Sequence, residues 1–112
     1  NTLGENHPDV ATSYNNIGIV YSSKGELDKA LDYCNKSLTI RLSTLGENHP
    51  RTADTLYSMG LVHKSQDDSI TATEYLNRAL VIYCKKLGEG HEKVRATRRI
   101  IRSIETTTLH AI

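Results

Sequence analysis

The sequence predicts an all-α solenoid of antiparallel helix pairs, five helices in all, with the last one a capping helix. Three observations lead there. The string Leu3-Gly4-Glu5-Asn6-His7-Pro8 returns letter for letter as Leu45-Gly46-Glu47-Asn48-His49-Pro50, and a weaker copy follows as Leu87-Gly88-Glu89-Gly90-His91-Glu92. Both returns come at an interval of 42 residues, the mark of stacked units that bury their apolar faces on one another. Between the copies, apolar residues recur every three or four positions, and no segment alternates strictly as a strand would.

Each element follows from its residues. Pro8 suits the first turn of a helix, where its missing N–H costs nothing, and Asp9 favours the positive end of the helix dipole. From 9 to about 23, Val10, Tyr14, Ile17 and Tyr21 make a helical stripe, expected to face the core. Lys24-Gly25 breaks it. A second helix is expected over about 26–44, with Leu27, Ala30, Leu31, Cys34, Leu38 and Leu42 on one side. Gly46 then caps it, because a positive φ is easiest for glycine. The next unit reads likewise, with helices over about 51–65 and 69–86.

The third unit offers one helix, over about 92–105. Val94, Thr97, Ile101 and Ile104 form one stripe on it, and Arg95, Arg98, Arg99 and Arg102 another. A capping helix is the expectation, its apolar stripe on the preceding unit and its arginines in water, since a terminal unit exposes a face that inner units bury. The chain thus divides into repeat one at about 8–46, repeat two at about 50–88, a capping helix at about 92–105 and a loose tail at 106–112. It opens just inside the connector between repeats, so further repeats are expected upstream, with the array finishing near Ile104.

Small residues set the pairing. Gly18 and Gly60 stand 42 residues apart within first helices, where glycine costs about 1 kcal/mol against alanine. Ala30 and Ala72 hold matching places on the second helices. Each pair is expected to cross there, backbone against backbone.

Composition narrows the function classes. Hydrophobic residues make up 38% and charged residues 24% of the 112, a globular rather than disordered balance. With six Tyr and no Phe or Trp, the core rests on aliphatic side chains and tyrosine bodies. No apolar run is long enough to span a membrane, and no charged segment followed by an apolar one, as a signal peptide would show, is visible in these residues. Cys34 and Cys84 are too few and too far apart for a disulfide scaffold, which suggests reduced cysteines in a cytoplasmic protein. Net charge is +1 but uneven. Residues 1–84 carry seven basic and ten acidic side chains, whereas residues 85–112 carry seven basic and three acidic.

The same residues resemble the tetratricopeptide repeat family. Its pattern W-x2-L-G-x2-Y followed by A-x3-F reads here as Tyr14-x2-Ile17-Gly18-x2-Tyr21, then Ala30-x3-Cys34 and Ser37-Leu38. The second copy reads Leu56-x2-Met59-Gly60-x2-His63, then Ala72-x3-Leu76 and Ala79-Leu80. The usual unit has about 34 residues, so these are longer by about eight. The longer unit is similar to that of the kinesin light chain and nephrocystin type, with its L-G-x-x-H-P-x-V-A connector, here ending in Asp9-Val10-Ala11, and its paired asparagines, here Asn15-Asn16. Departures are His63 for the tyrosine, Asp67 for the turn glycine, Tyr57-Ser58 for the paired asparagines, and Arg98 and Arg102 at the last aromatic and glycine positions.

The resemblance implies an interaction module, part of a larger adaptor or scaffold, that binds a partner peptide along a concave face made by the first helix of each pair. Thr12, Asn15, Ile19 and Ser22 share a face apart from the core stripe, and their counterparts are Asp54, Tyr57, Leu61 and Lys64. On the last helix the row continues with Ala96, Arg99 and Ser103. Asn16 matches an asparagine that holds the ligand in similar modules. An amide pins an extended peptide because it both donates and accepts, and Arg99 offers a charge-assisted contact to an acidic ligand. The alternative for this row is an ordinary solvated face.

Other chemistry is sparse. His7, His49 and His91 repeat, but at identical points of successive units and without companion ligands, so a structural role at each helix start is expected rather than metal binding. Phosphate-loop, dinucleotide and metalloprotease motifs are absent from the sequence. Neither an enzyme nor a cofactor is expected. Asn35-Lys36-Ser37 is a formal glycosylation sequon inside a helix, best read as chance. The arginine stripe supports an alternative function, a basic surface for nucleic acid or anionic membrane, though no stacking aromatics accompany it. Self-association through the N-terminal edge is a third option.

Overall fold

The computed structural model describes residues 7–111. They form five helices and, among the described residues, no strand: α1 (Pro8–Ser23), α2 (Leu27–Thr44), α3 (Pro50–Ser65), α4 (Ser69–Leu87) and α5 (Glu92–Ala111). The helices pair as α1 with α2 and α3 with α4; α2 then packs on α3, and α4 on α5. This is the all-α solenoid expected from the repeat. One boundary differs: α5 continues to Ala111, past the expected end at 105. Thr106 and Thr107 return their hydroxyls to the carbonyls of Arg102 and Ser103, so these polar side chains travel with the helix instead of ending it.

The repeated histidines start helices. Nδ1 of His7 accepts from the Asp9 N–H at 3.0 Å, that of His49 from Arg51 at 3.0 Å, and that of His91 from Lys93 at 3.1 Å. Each satisfies one donor that a helix N-terminus leaves unpaired. The hairpin turns repeat too. Gly25 and Asp67, one unit apart, both take positive φ, 81° and 62°. The following N–H bonds back in each case, Glu26 to the Tyr21 carbonyl and Asp68 to the His63 carbonyl, both at 2.9 Å. Asp67 is the one non-glycine residue with positive φ among the described residues.

The glycines mark the crossings. A Cβ on Gly18 would lie 2.9 Å from Cys34 Sγ and 3.1 Å from the Ala30 carbonyl oxygen; on Gly60 it would lie 2.7 Å from Leu76 Cγ and 3.3 Å from the Ala72 carbonyl oxygen. Beside each crossing two rings stack: Tyr21 on Tyr33 at 5.5 Å and His63 on Tyr75 at 5.3 Å.

One stripe recurs on all three first helices and packs between pairs on two of them. On α3 it is Thr52, Thr55, Met59 and Val62, all buried by 98% or more. The α5 equivalents, Val94, Thr97, Ile101 and Ile104, are buried too, and Ile101 and Ile104 pack with Ala72 and Leu76 of α4. The α1 equivalents are Val10, Ser13, Ile17 and Val20. Here Ile17 is 37% and Val20 52% exposed, because no helix among the described residues lies on that side of α1. The expectation of a buried Ile17 is therefore corrected; Ala11, Asn15 and Gly18 are the buried residues of α1.

Leu42, expected in the core, is also turned out, while Ala30, Cys34, Ser37, Ile40 and Arg41 are buried. α2 is held between α1 and α3. Its buried arc centres on the small-residue edge that both neighbours can approach, which rotates Leu42 toward solvent.

Candidate functional site

The first helices α1, α3 and α5 wall a cleft of about 720 Å³, with Cys34 of α2 and Tyr83 of α4 at its floor. Ile19, Tyr57, Leu61, Val62 and Ala96 are among its apolar lining, and Ser22, Ser23 and Ser58 add hydroxyls. Asn15 is 8% exposed on the α1 wall, and its Oδ1 has no hydrogen-bond partner. Buried polar atoms are nearly always paired, which sets this oxygen apart from the other buried polar atoms of the cleft wall.

Of the residues singled out in the sequence, Asn15, Ile19, Asp54, Tyr57 and Leu61 come together in the cleft. Thr12, Asn16, Lys64 and Arg99 do not line it. Asn16, Lys64 and Arg99 are exposed outside the lining. Thr12 is engaged in the structure's main polar node. There Arg41, only 4% exposed, donates from Nη1 to the Arg51 carbonyl at 2.8 Å and to Thr55 Oγ1 at 2.9 Å. Its Nη2 donates to Thr12 Oγ1 at 3.2 Å. Ser37 Oγ lies 3.2 Å from Thr55 Oγ1. Burial, partly offset by Asp54, lowers the Arg41 pKa.

One unit further on, the same place is built differently. Tyr83 donates its hydroxyl to Asp54 Oδ1, and Lys93 Nζ bonds both oxygens of Asp54, at 3.0 and 3.2 Å. Lys93 also sits 5.7 Å above the Tyr83 ring. Burial, then the Asp54 hydrogen bond, pushes the Tyr83 phenol well above its usual range. The floor thiol of Cys34 is pushed up to about 11 by burial.

Sequence reasoning missed Arg41, Tyr83 and Lys93. A signal existed: Thr12 with Arg41 and Asp54 with Tyr83 keep one spacing, a polar pair substituted together. On α5, Arg98 is bonded to Glu89 and lies 3.8 Å from Cys84 Sγ, while Arg95, Arg99 and Arg102 are exposed. Among the described residues, no group of three or more His, Cys, Asp or Glu could hold a metal ion, and no helix is long and apolar enough to cross a membrane.

Stacked helix hairpins with a cleft along their first helices define a repeat scaffold of the kind used for protein–protein contact. The family profile "Tetratricopeptide repeat" matches residues 9–85, and the chain belongs to that family. Members of this family generally mediate protein–protein interaction. Among solved structures, a crystal structure of BtubC (BKLC) from P. vanneervenii is similar, with a TM-score of 0.83 and 20% sequence identity. The match covers 90% of this chain and 40% of that one; at this identity the likeness is one of fold. No curated protein matches the sequence.

Proposed function

We propose that the chain holds an extended peptide segment of a partner protein in the cleft between α1, α3 and α5, as part of a larger adaptor or scaffold. The observation that carries this is the unpartnered Asn15 Oδ1 on a cleft wall that Ile19, the Tyr57 ring and Leu61 also line. Apolar lining with a few placed polar groups is how ligand sites combine affinity with orientation. The Asn15 amide supplies an acceptor for a peptide N–H, and the Asp54–Lys93 pair closes one end with neutralised charge. Asn16 and Arg99 reach only a ligand that overruns the cleft. The two free cysteines support a cytoplasmic setting. Phosphate binding along α5 has less support, because Arg98 is committed to Glu89.

The test is a random peptide library displayed on phage and panned on the chain. Selected peptides should bind Asn15→Ala and Ile19→Asp at least tenfold more weakly, and should bind Ile70→Ser, on the outer surface of α4, as they bind the parent. Ligands indifferent to both cleft substitutions would remove the cleft from the account.

A further inference from the structure

Positions 95, 98 and 102 of α5 stand where the earlier units have Ala11, Tyr14 and Gly18, and Ala53, Leu56 and Gly60. In both units the second helix of the hairpin covers these places. Ala11 and Ala53 are fully buried, Leu56 is 1% exposed, and a Cβ on either glycine would press into the partner helix. α5 has arginine at all three. A helix laid over it in the same way would bury three guanidinium groups, and a buried charge is costly unless it is paired. The arginine face is therefore a surface by virtue of its own residues.

On that face Arg98 is bonded to Glu89. Arg95 and Arg99 are exposed and have no ion-pair partner among the described residues. With Glu92 they make a row of acid, base, base, turned away from the buried Val94, Thr97 and Ile101. The opposite row lies on the outer face of α2: Lys36, Asp32 and Asp28, read against the chain and all exposed. Lys36 rests over the Tyr33 ring at 5.0 Å, and Lys29 on the flank is taken by Glu26. The two rows run about 10 Å and about 12 Å along their helices at 1.5 Å per residue. Laid antiparallel, they bring Glu92 to Lys36, Arg95 to Asp32 and Arg99 to Asp28.

We propose that the arginine face of α5 docks on the outer face of α2 in a second copy of this chain. The planar fork of arginine suits carboxylates, which it binds through two parallel hydrogen bonds. α4 carries Ile70, Glu74 and Arg78 at the corresponding places, one carboxylate fewer, so α2 is the better seat. Those three α4 residues are exposed although a whole unit precedes them, so this outer face stays open within an array. The two faces differ, and each copy keeps one of each free, so docking joins copies head to tail. Exposed ion pairs are individually weak and are screened by salt; the contact belongs to low salt and high concentration. Cleft residues take no part in it, and it stands independently of the peptide reading.

The test is sedimentation velocity of the full chain over a concentration series, at about 20 mM and about 300 mM salt. Mass should grow with concentration at the lower salt, and the association should weaken at least tenfold at the higher. Arg95→Glu/Arg99→Glu and Asp28→Arg/Asp32→Arg should each stay monomeric, because each then carries two faces of one sign. Mixed in equal amounts they should associate again, since the acidic α5 of one fits the basic α2 of the other. Ile19→Asp in the cleft should associate like the parent. A parent that stays monomeric at millimolar concentration and low salt overturns the proposal, as does a mixture of the two variants that stays monomeric. Association lost in Ile17→Glu but kept in both charge variants also overturns it, by placing the contact on α1. A monomeric parent that binds a single-stranded oligonucleotide through Arg95 and Arg99 assigns the face to phosphate instead.

Discussion

Arg41 and Tyr83, one repeat apart, occupy the same place in the fold and solve it with opposite chemistry. Arg41 is a buried cation donating to neutral oxygens on α1 and α3. Tyr83 is a neutral ring donating to a carboxylate, Asp54, that is itself held by Lys93. The partner residue on the first helix changes with it, Thr12 in one case and Asp54 in the other. Each node ties three helices together at the edge of the cleft.

Exchanging one node for the other should therefore work only as a set. Arg41→Ala removes the donor shared by Thr12, Thr55 and the Arg51 carbonyl, and should cost about 2–3 kcal/mol. Arg41→Tyr alone leaves the phenol without its carboxylate and should also destabilise. Adding Thr12→Asp to Arg41→Tyr should recover part of the loss. Urea unfolding of the three variants checks this, and strictly additive effects would refute the coupling.

Gly60 sits where a Cβ would press into Leu76 Cγ, an inner atom of a fully buried side chain. Alanine would regain about 1 kcal/mol of helix propensity, but overpacking costs about 1–3 kcal/mol. Gly60→Ala should be modestly less stable and Gly60→Leu severely so. Arg102→Ala, at the equivalent and exposed place on α5, should change the urea midpoint little. A Gly60→Leu chain as stable as the parent would contradict the crossing.

Asp67 does the work of Gly25 with a side chain in the way. Its φ of 62° lies in the left-handed region, which costs a residue with a Cβ about 1–2 kcal/mol, less where a short polar side chain bonds locally. Asp67→Gly should raise the urea midpoint, corresponding to about 0.5–1 kcal/mol after the entropy of the freer unfolded chain. Asp67→Ala should gain nothing.

Cys34 links stability to alkaline pH. Its thiol keeps its proton to about pH 11 in the fold, whereas an unfolded cysteine loses it near 8.5. The unfolded state then binds fewer protons, so stability should fall as pH rises through this window. Cys34→Ala should make that fall shallower. At pH 8, iodoacetamide should reach Cys34 only on unfolding, while half-buried Cys84 reacts in the folded chain.

The sequence by itself determined the unit and its ends. A connector returning every 42 residues placed the helix starts, and the histidine caps and Gly46 follow from local backbone needs that act over a few residues. Gly18 and Gly60 were legible for the same reason: a glycine kept in a helix at a fixed interval signals a close approach. The tertiary structure decided what depends on neighbours. Ile17 and Met59 are equivalent by pattern, yet only Met59 has a helix lying over it. Leu42 and Arg41 exchange the places that hydropathy assigns them, because a guanidinium can be buried once three oxygens converge on it. Those oxygens come from α1 and α3, segments 10 to 29 residues away in the chain, and periodicity within one helix carries no information about them.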